Sequence, residues 1–190
     1  MKTKLRYRPS LPEVFKAKCC ECCAYYSDAR YLDCGIRDCP MYFHMPYRKS
    51  QPDYSWVFGK WTSKHSKARL ALGLSEAEYI TRHIIKPNGK PTIGRIAMIR
   101  AKCYRCCGDF ADGRIDCDIP GCTLYSWMPY REMEPNLDWL FDSPHTKKHL
   151  IRQKAEGLTR DEYLDAYLAN TTTEDEDDSP IVQVKYRAVK

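Results

Sequence analysis

The chain has 190 residues, 43% of them hydrophobic, a formal net charge of +6 and eleven cysteines. That length has room for one domain or two small ones, and the apolar fraction excludes a disordered chain. No apolar run approaches the ~20 residues a membrane helix needs, no basic-then-apolar leader opens the sequence, and grouped cysteines in such a chain are more often metal ligands than disulfides, so a cytoplasmic protein without membrane contact is expected.

In chain order, Ser10-Leu11-Pro12-Glu13 has the form of a capping box with proline in the first turn, which predicts a helix from Leu11 towards the first cysteines. A polar, turn-rich cysteine region follows. Thr62 or Ser63 then opens a helix that Gly73 ends, and Ser75-x-x-Glu78 caps a second one. After the linker Lys86–Pro91, Thr92 starts a run like the first. Asp112-Gly113 marks a tight turn of a small hairpin. Ser143-Pro144 and Gly157 bound another helix, and Thr159-x-x-Glu162 caps the last. Glu174, Asp175, Glu176, Asp177 and Asp178 read as a solvated, disordered acidic linker, and residues 181–189 as an added strand or docking tail.

Self-comparison organises these elements. Ala17-Lys18-Cys19 recurs as Ala101-Lys102-Cys103, Cys22-Cys23 as Cys106-Cys107, Asp33-Cys34 as Asp116-Cys117, and Met45-Pro46-Tyr47-Arg48 as Met128-Pro129-Tyr130-Arg131. Trp56, His65 and Tyr79 match Trp139, His149 and Tyr163. The expected fold is α+β, mostly α: a tandem repeat of two zinc-stapled modules, each a helix, a four-cysteine knuckle or hairpin and an αα-hairpin. Module 1 covers residues 1–86, a linker 87–91, module 2 residues 92–170, and the acidic linker and tail 171–190.

The spacing Cys19-x2-Cys22-x11-Cys34-x4-Cys39 returns as Cys103-x2-Cys106-x10-Cys117-x4-Cys122. Two thiolate pairs at such spacing make a tetrahedral shell, and soft thiolates select zinc, so two structural Zn2+ ions are expected, with disulfides or an iron–sulfur cluster as the alternatives. A metal matters in so small a module, whose core cannot by itself offset the cost of ordering its loops. Cys23 and Cys107 are buried thiols or replace Cys22 and Cys106 as ligands. Asp33 and Asp116, with Asp28 and Asp112, read as hydrogen-bond partners of the knuckle, with binding of a divalent ion as the alternative.

Arg48 and Arg131 close the Pro-Tyr-Arg segments, where the aromatic rings either roof the metal site or offer a phosphate or base contact. Trp56 and Trp139 read as core of the helical hairpins, and His65 and His149 as helix-surface residues. The first hairpin helices are basic, with Lys64, Lys67 and Arg69 in one and Lys147, Lys148 and Arg152 in the other. The hairpin resembles a helix-turn-helix, but Arg160-Asp161-Glu162 opens a second helix too acidic for a major groove, so backbone phosphates are the expected contacts. No Walker loop, Gly-x-Ser-x-Gly, His-Glu-x-x-His or deaminase signature occurs, so no enzyme and no small-molecule substrate are expected.

Cys19 to Arg48, including Cys39-Pro40-Met41-Tyr42, and Cys103 to Arg131, with Thr123 in place of proline, resemble a group of small zinc-binding proteins of tailed bacteriophages and prophages. The resemblance implies a phage protein working in the host bacterial cytoplasm. The second cysteine spacing is also similar to the linker zinc finger of phage GIY-YIG homing endonucleases, which implies DNA-backbone contact only. Two functions follow as expectations: a structural-zinc protein contacting nucleic acid through its basic helices and Pro-Tyr-Arg segments, or an adaptor or inhibitor docking on a host or phage protein complex.

Overall fold

A computed structural model describes residues 8–23, 33–108, 116–142 and 146–171. Over these residues the chain is mostly helical, with seven α-helices joined by turns and short 3-10 segments. The expected β component does not appear among them: the sole β feature is an isolated bridge between Ile85 and Pro91. The hairpin expected at Asp112-Gly113, the acidic run and the strand expected over residues 181–189 lie outside the described residues.

Helix α1 spans Leu11–Cys22. It begins at the expected residue, with Pro12 in the first turn, where a missing N–H costs no helical bond. The capping box does not form. Ser10 Oγ donates to the Glu13 carboxylate at 3.0 Å and caps no backbone N–H. Cys19 and Cys22 sit in the last turn, three residues apart on one helical face, so the first ligand pair is carried by a helix and not by a free knuckle. Helix α2 (Ser63–Ala71) and α3 (Glu76–Tyr79) form the first hairpin. Gly73 turns it at φ +64°, a left-handed conformation that favours glycine. Ser75 and Glu78 complete a capping box at the start of α3, and one π-helical turn, Ile80–Ile84, prolongs it.

Helix α4 runs Arg95–Cys106. It starts three residues beyond Thr92, whose hydroxyl donates to His83 O at 2.9 Å and closes the linker turn instead of capping the helix. Helix α5 (Trp139–Asp142) precedes the second hairpin, α6 (Lys147–Ala155) and α7 (Arg160–Thr171). Gly157 turns this hairpin at φ +67°. Thr159 and Glu162 exchange side-chain bonds to each other's backbone N–H, at 2.8 and 3.3 Å.

The main core mixes the two halves of the chain. Leu11, Val14, Phe15 and Met41 pack with Met98, Ile99, Leu124, Tyr125 and Trp127. Burying side chains of this size contributes about 1.5–3 kcal/mol each. Two satellite clusters lie under the hairpins, one around Val57, Tyr79 and Ile84, the other around Leu140, Phe141 and Tyr163. Trp56 touches the main cluster and the first satellite, and Trp139 the main cluster and the second, so each tryptophan joins a hairpin to the centre. His149 is not on the helix surface as expected; it is 3% exposed, and its Nδ1 meets Tyr163 Oη at 2.9 Å. His65 is half-buried and meets Tyr79 Oη at 3.2 Å in the same way. Each tyrosine reaches back across its glycine turn, which places the imidazole at the helix–helix seam.

Candidate functional site

Helix α1 supplies Cys19 and Cys22, and the loop after it supplies Cys34 and Cys39. All four line one small cavity of about 30 Å3, together with Lys18, Lys102, Met41 and Tyr42. Burial pushes the Cys19 thiol far up, and the sulfurs of Cys39, Cys34 and Cys22 push it further. In the second half, burial and the sulfurs of Cys122, Cys117 and Cys106 raise Cys103 to about 12. Both sets of thiols therefore stand within electrostatic reach of one another. The structure joins no two cysteines by a disulfide.

The loops carrying the later cysteines are fixed by the aspartates that precede Cys34 and Cys117. Asp33 accepts from Tyr42 Oη at 2.6 Å and from the N–H groups of Lys49 and Gly35 at 2.7 and 3.0 Å. Asp116 accepts from Tyr125 Oη and from the N–H of Glu132 at 2.8 Å. Burial pushes both carboxyls up, but these donors more than reverse it and hold them below the usual range. The aspartates are thus hydrogen-bond anchors of the cysteine loops, as the sequence led one to expect for these two; Asp28 and Asp112 lie outside the described residues. Gly35, at φ +66°, and Asp118, at φ +53°, make the same left-handed step just after Cys34 and Cys117.

The two cysteine sites are cross-braced. Lys18, on the first helix, reaches Cys122 Sγ at 3.5 Å and Glu21 at 3.1 Å. Burial pulls this lysine down, yet Cys122 and Glu21 more than reverse it and hold the ammonium above its ordinary range. Lys102, on α4, lines the first cavity. Thr123 Oγ1 donates to Glu21 at 3.3 Å, and Arg105 donates to Asp38 O and Oδ2 at 2.7 and 2.9 Å. Each helix thus braces the other half's cysteine loop. The recurring Ala-Lys-Cys triplet was the sequence signal for the lysines, but nothing in it told that they would cross.

No known protein family, curated protein or solved structure matches the chain.

A soft divalent metal can be tested against this donor set. Four free thiols on one cavity are the right chemistry, and two lysines beside them suit the net negative charge that a tetrathiolate metal site carries. The arrangement is looser than a closed shell: among the described residues no three His, Cys, Asp or Glu side chains converge as a ligand group. The thiols share a cavity without surrounding a common point. Thiols that raise one another's pKa resist closer approach as thiolates, and a central cation would remove that repulsion.

The eight residues expected to touch a partner divide into two sets. Arg48 lies over the Phe43 ring at 4.9 Å, and Arg131 donates to Ser126 O at 3.3 Å. Arg69 lies over Phe58 at 5.5 Å and bonds Leu74 O at 3.2 Å. Lys148 pairs with Glu13, and Arg152 with Glu156 at 2.7 Å. Lys64, Lys67 and Lys147 stand exposed on α2 and α6. His44, wedged edge-on between Phe15 and Phe43, is pulled down to about 4 by burial and by Arg95 and Arg48, so it carries no charge at neutral pH. Among the described residues no helix is long and apolar enough to cross a membrane.

Proposed function

We propose that this chain is a tandem pair of structural-zinc modules that acts by binding nucleic acid, and not by catalysis. The observation that carries the metal assignment is the single cavity shared by Cys19, Cys22, Cys34 and Cys39, with Lys18 and Lys102 beside the sulfurs. The matched aspartate–tyrosine anchors, the matched left-handed steps and the matched His–Tyr pairs support reading the two halves as one design used twice. Cys103, Cys106, Cys117 and Cys122 would hold the second ion. Four thiolates close the coordination sphere, so such a metal organises the loops and leaves no open position for a reacting water. A cytoplasmic setting, as in a phage-infected host, suits eleven reduced thiols.

Contact with nucleic acid would fall on the exposed Lys64, Lys67 and Lys147 and the rims of the Pro-Tyr-Arg segments, through phosphates. Arg48, Arg69, Arg131, Lys148 and Arg152 already have partners within the chain and contribute less. The test is fluorescence anisotropy with duplex and single-stranded oligonucleotides over a salt series, beside elemental analysis of the purified protein. A phosphate binder loses affinity steeply with salt. Binding that is absent at low salt, or protein without bound metal, would overturn the reading. One observation favours a second reading, an adaptor on a protein complex: Ile36 and Ile119 stand 53% and 58% exposed at matching places in the two cysteine loops. An Ile36→Asp/Ile119→Asp variant that keeps oligonucleotide binding but loses a protein partner would move the assignment there.

A further inference from the structure

A cleft of about 260 Å3 opens between the first cysteine loop, the turn segment 55–62 and the C-terminal part of α4. Trp56 and Tyr104 line it from two different elements, Lys60 and Arg105 bring two cations, and Asp38 and Ser55 bring polar atoms. Gly59 also lines it; a Cβ there would stand 3.2 Å from Trp56 O, so a larger residue would crowd this turn. The volume is below the roughly 300–1,000 Å3 of a drug-sized ligand site, but far above the ~30 Å3 share of one water. It fits one planar ring better than a whole cofactor.

The chemistry favours a base with its phosphate. Aromatic side chains give a ring of either nucleic acid a face to stack on. Arg105 spends two donors on Asp38, at 2.7 and 2.9 Å. A guanidinium has five, so the pair holds the planar fork in place and leaves donors for a phosphate oxygen. With Asp38 matched by Arg105, Lys60 leaves the rim positive. The matching surface at the other end of the cross-brace lacks these features. There Cys20 stands where Tyr104 does and is fully buried, Glu21 replaces Arg105, and Gly121 replaces Asp38. The cleft is therefore built where the two halves differ, and a fold-stabilising role common to both does not account for it.

We infer that this cleft receives one unstacked base of a single-stranded nucleic acid, stacked with Trp56 and Tyr104, with the adjoining phosphate on Lys60 and Arg105. The inference rests on the nucleic-acid reading above and makes that reading specific for single strands. The full chain is titrated in anisotropy with labelled oligo-dT and oligo-U of about 12 nucleotides and with a duplex. Free TMP and UMP are titrated separately by tryptophan quenching. Single strands should bind more tightly than duplex. Tyr104→Ala and the exposed Lys60→Glu should each lower single-strand affinity about tenfold, while Tyr104→Phe retains it. A preference for oligo-dT or oligo-U identifies DNA or RNA as the source of the base.

Strand binding that stays within twofold of wild type in both Lys60→Glu and Tyr104→Ala, each with unchanged thermal melting, overturns the cleft and leaves phosphate binding elsewhere intact. If Tyr104→Ala does not fold, Lys60→Glu and the nucleotide quenching of the unaltered chain decide alone. Quenching by free nucleotide that Lys60→Glu abolishes, with no oligonucleotide bound, overturns the single-strand inference together with the nucleic-acid reading and leaves a cleft for a mononucleotide. No response to strand, duplex or nucleotide overturns both.

Discussion

Replacing Glu13 by alanine tests the joint that pins the second hairpin to α1. The Glu13 side chain is 12% exposed and accepts from His149 Nε2 at 3.0 Å, from Ser10 Oγ at 3.0 Å, and from Tyr167 Oη and Lys148 Nζ. A carboxylate only accepts, so Nε2 carries the hydrogen, while Nδ1 on the other side of the ring meets the Tyr163 hydroxyl at 2.9 Å. Truncation leaves the buried His149 donor and the Tyr167 hydroxyl without this acceptor, at about 1–3 kcal/mol each. Lys148 is 68% exposed, and its share is about 0–1 kcal/mol. The expected loss is about 3–5 kcal/mol, as when one partner of a buried charged network is removed. Urea unfolding at neutral pH should show a lower midpoint with an unchanged slope. Glu13→Gln, which keeps an acceptor oxygen, should lose less. Burial pushes the Glu13 carboxyl up, but the bonds from His149, Lys148 and Tyr167 outweigh it and hold it far below its ordinary value of 4.5. The folded chain then binds fewer protons than the unfolded one in acid. Glu13's contribution is complete above that value and fades as pH falls below it, so the gap between wild type and Glu13→Gln should narrow from about pH 6 to pH 3. A loss under about 1 kcal/mol in Glu13→Ala, or a gap that widens in acid, would refute the reasoning.

The other predictions concern the metal and the turns. Elemental analysis should find zinc in the reduced protein, and Cys39→Ser or Cys122→Ser should each halve it, since the two thiol sets are separate. Lys102→Met should weaken zinc retention at the first site against a chelator about 10–100-fold while sparing the second, whereas Lys18→Met, at a residue that lines the first cavity and also reaches Cys122, should weaken both. Gly73→Ala and Gly157→Ala should each cost about 1–2 kcal/mol in urea unfolding, because φ is +64° and +67° while the space around both is open, so only the left-handed backbone resists the added methyl.

Local chemistry made much of this fold legible. Ser75-x-x-Glu78 and Thr159-x-x-Glu162 cap helices because nothing distant competes for their carboxylates. Ser10-x-x-Glu13 has the same form and fails, because residues about 136 and 154 positions away claim the glutamate. The sequence could not foresee that competition, nor that His149 would be buried between a tyrosine and that glutamate. It also pointed to a small hairpin at Asp112-Gly113, which lies outside the described residues; the described loops that carry Cys34, Cys39, Cys117 and Cys122 are turns and 3-10 segments anchored by Asp33 and Asp116.

By itself, then, the amino-acid order pointed to most of the helices and to their glycine ends, which depend on contacts a few residues apart, and it displayed the twofold recurrence of the cysteine spacing. Only the tertiary structure decided that Lys18 would stand beside Cys122, that Arg105 would clasp Asp38, and that one core would draw on both halves. Those contacts join residues 67 or more positions apart, and their partners are fixed by how whole apolar faces bury against each other, which no local spacing encodes.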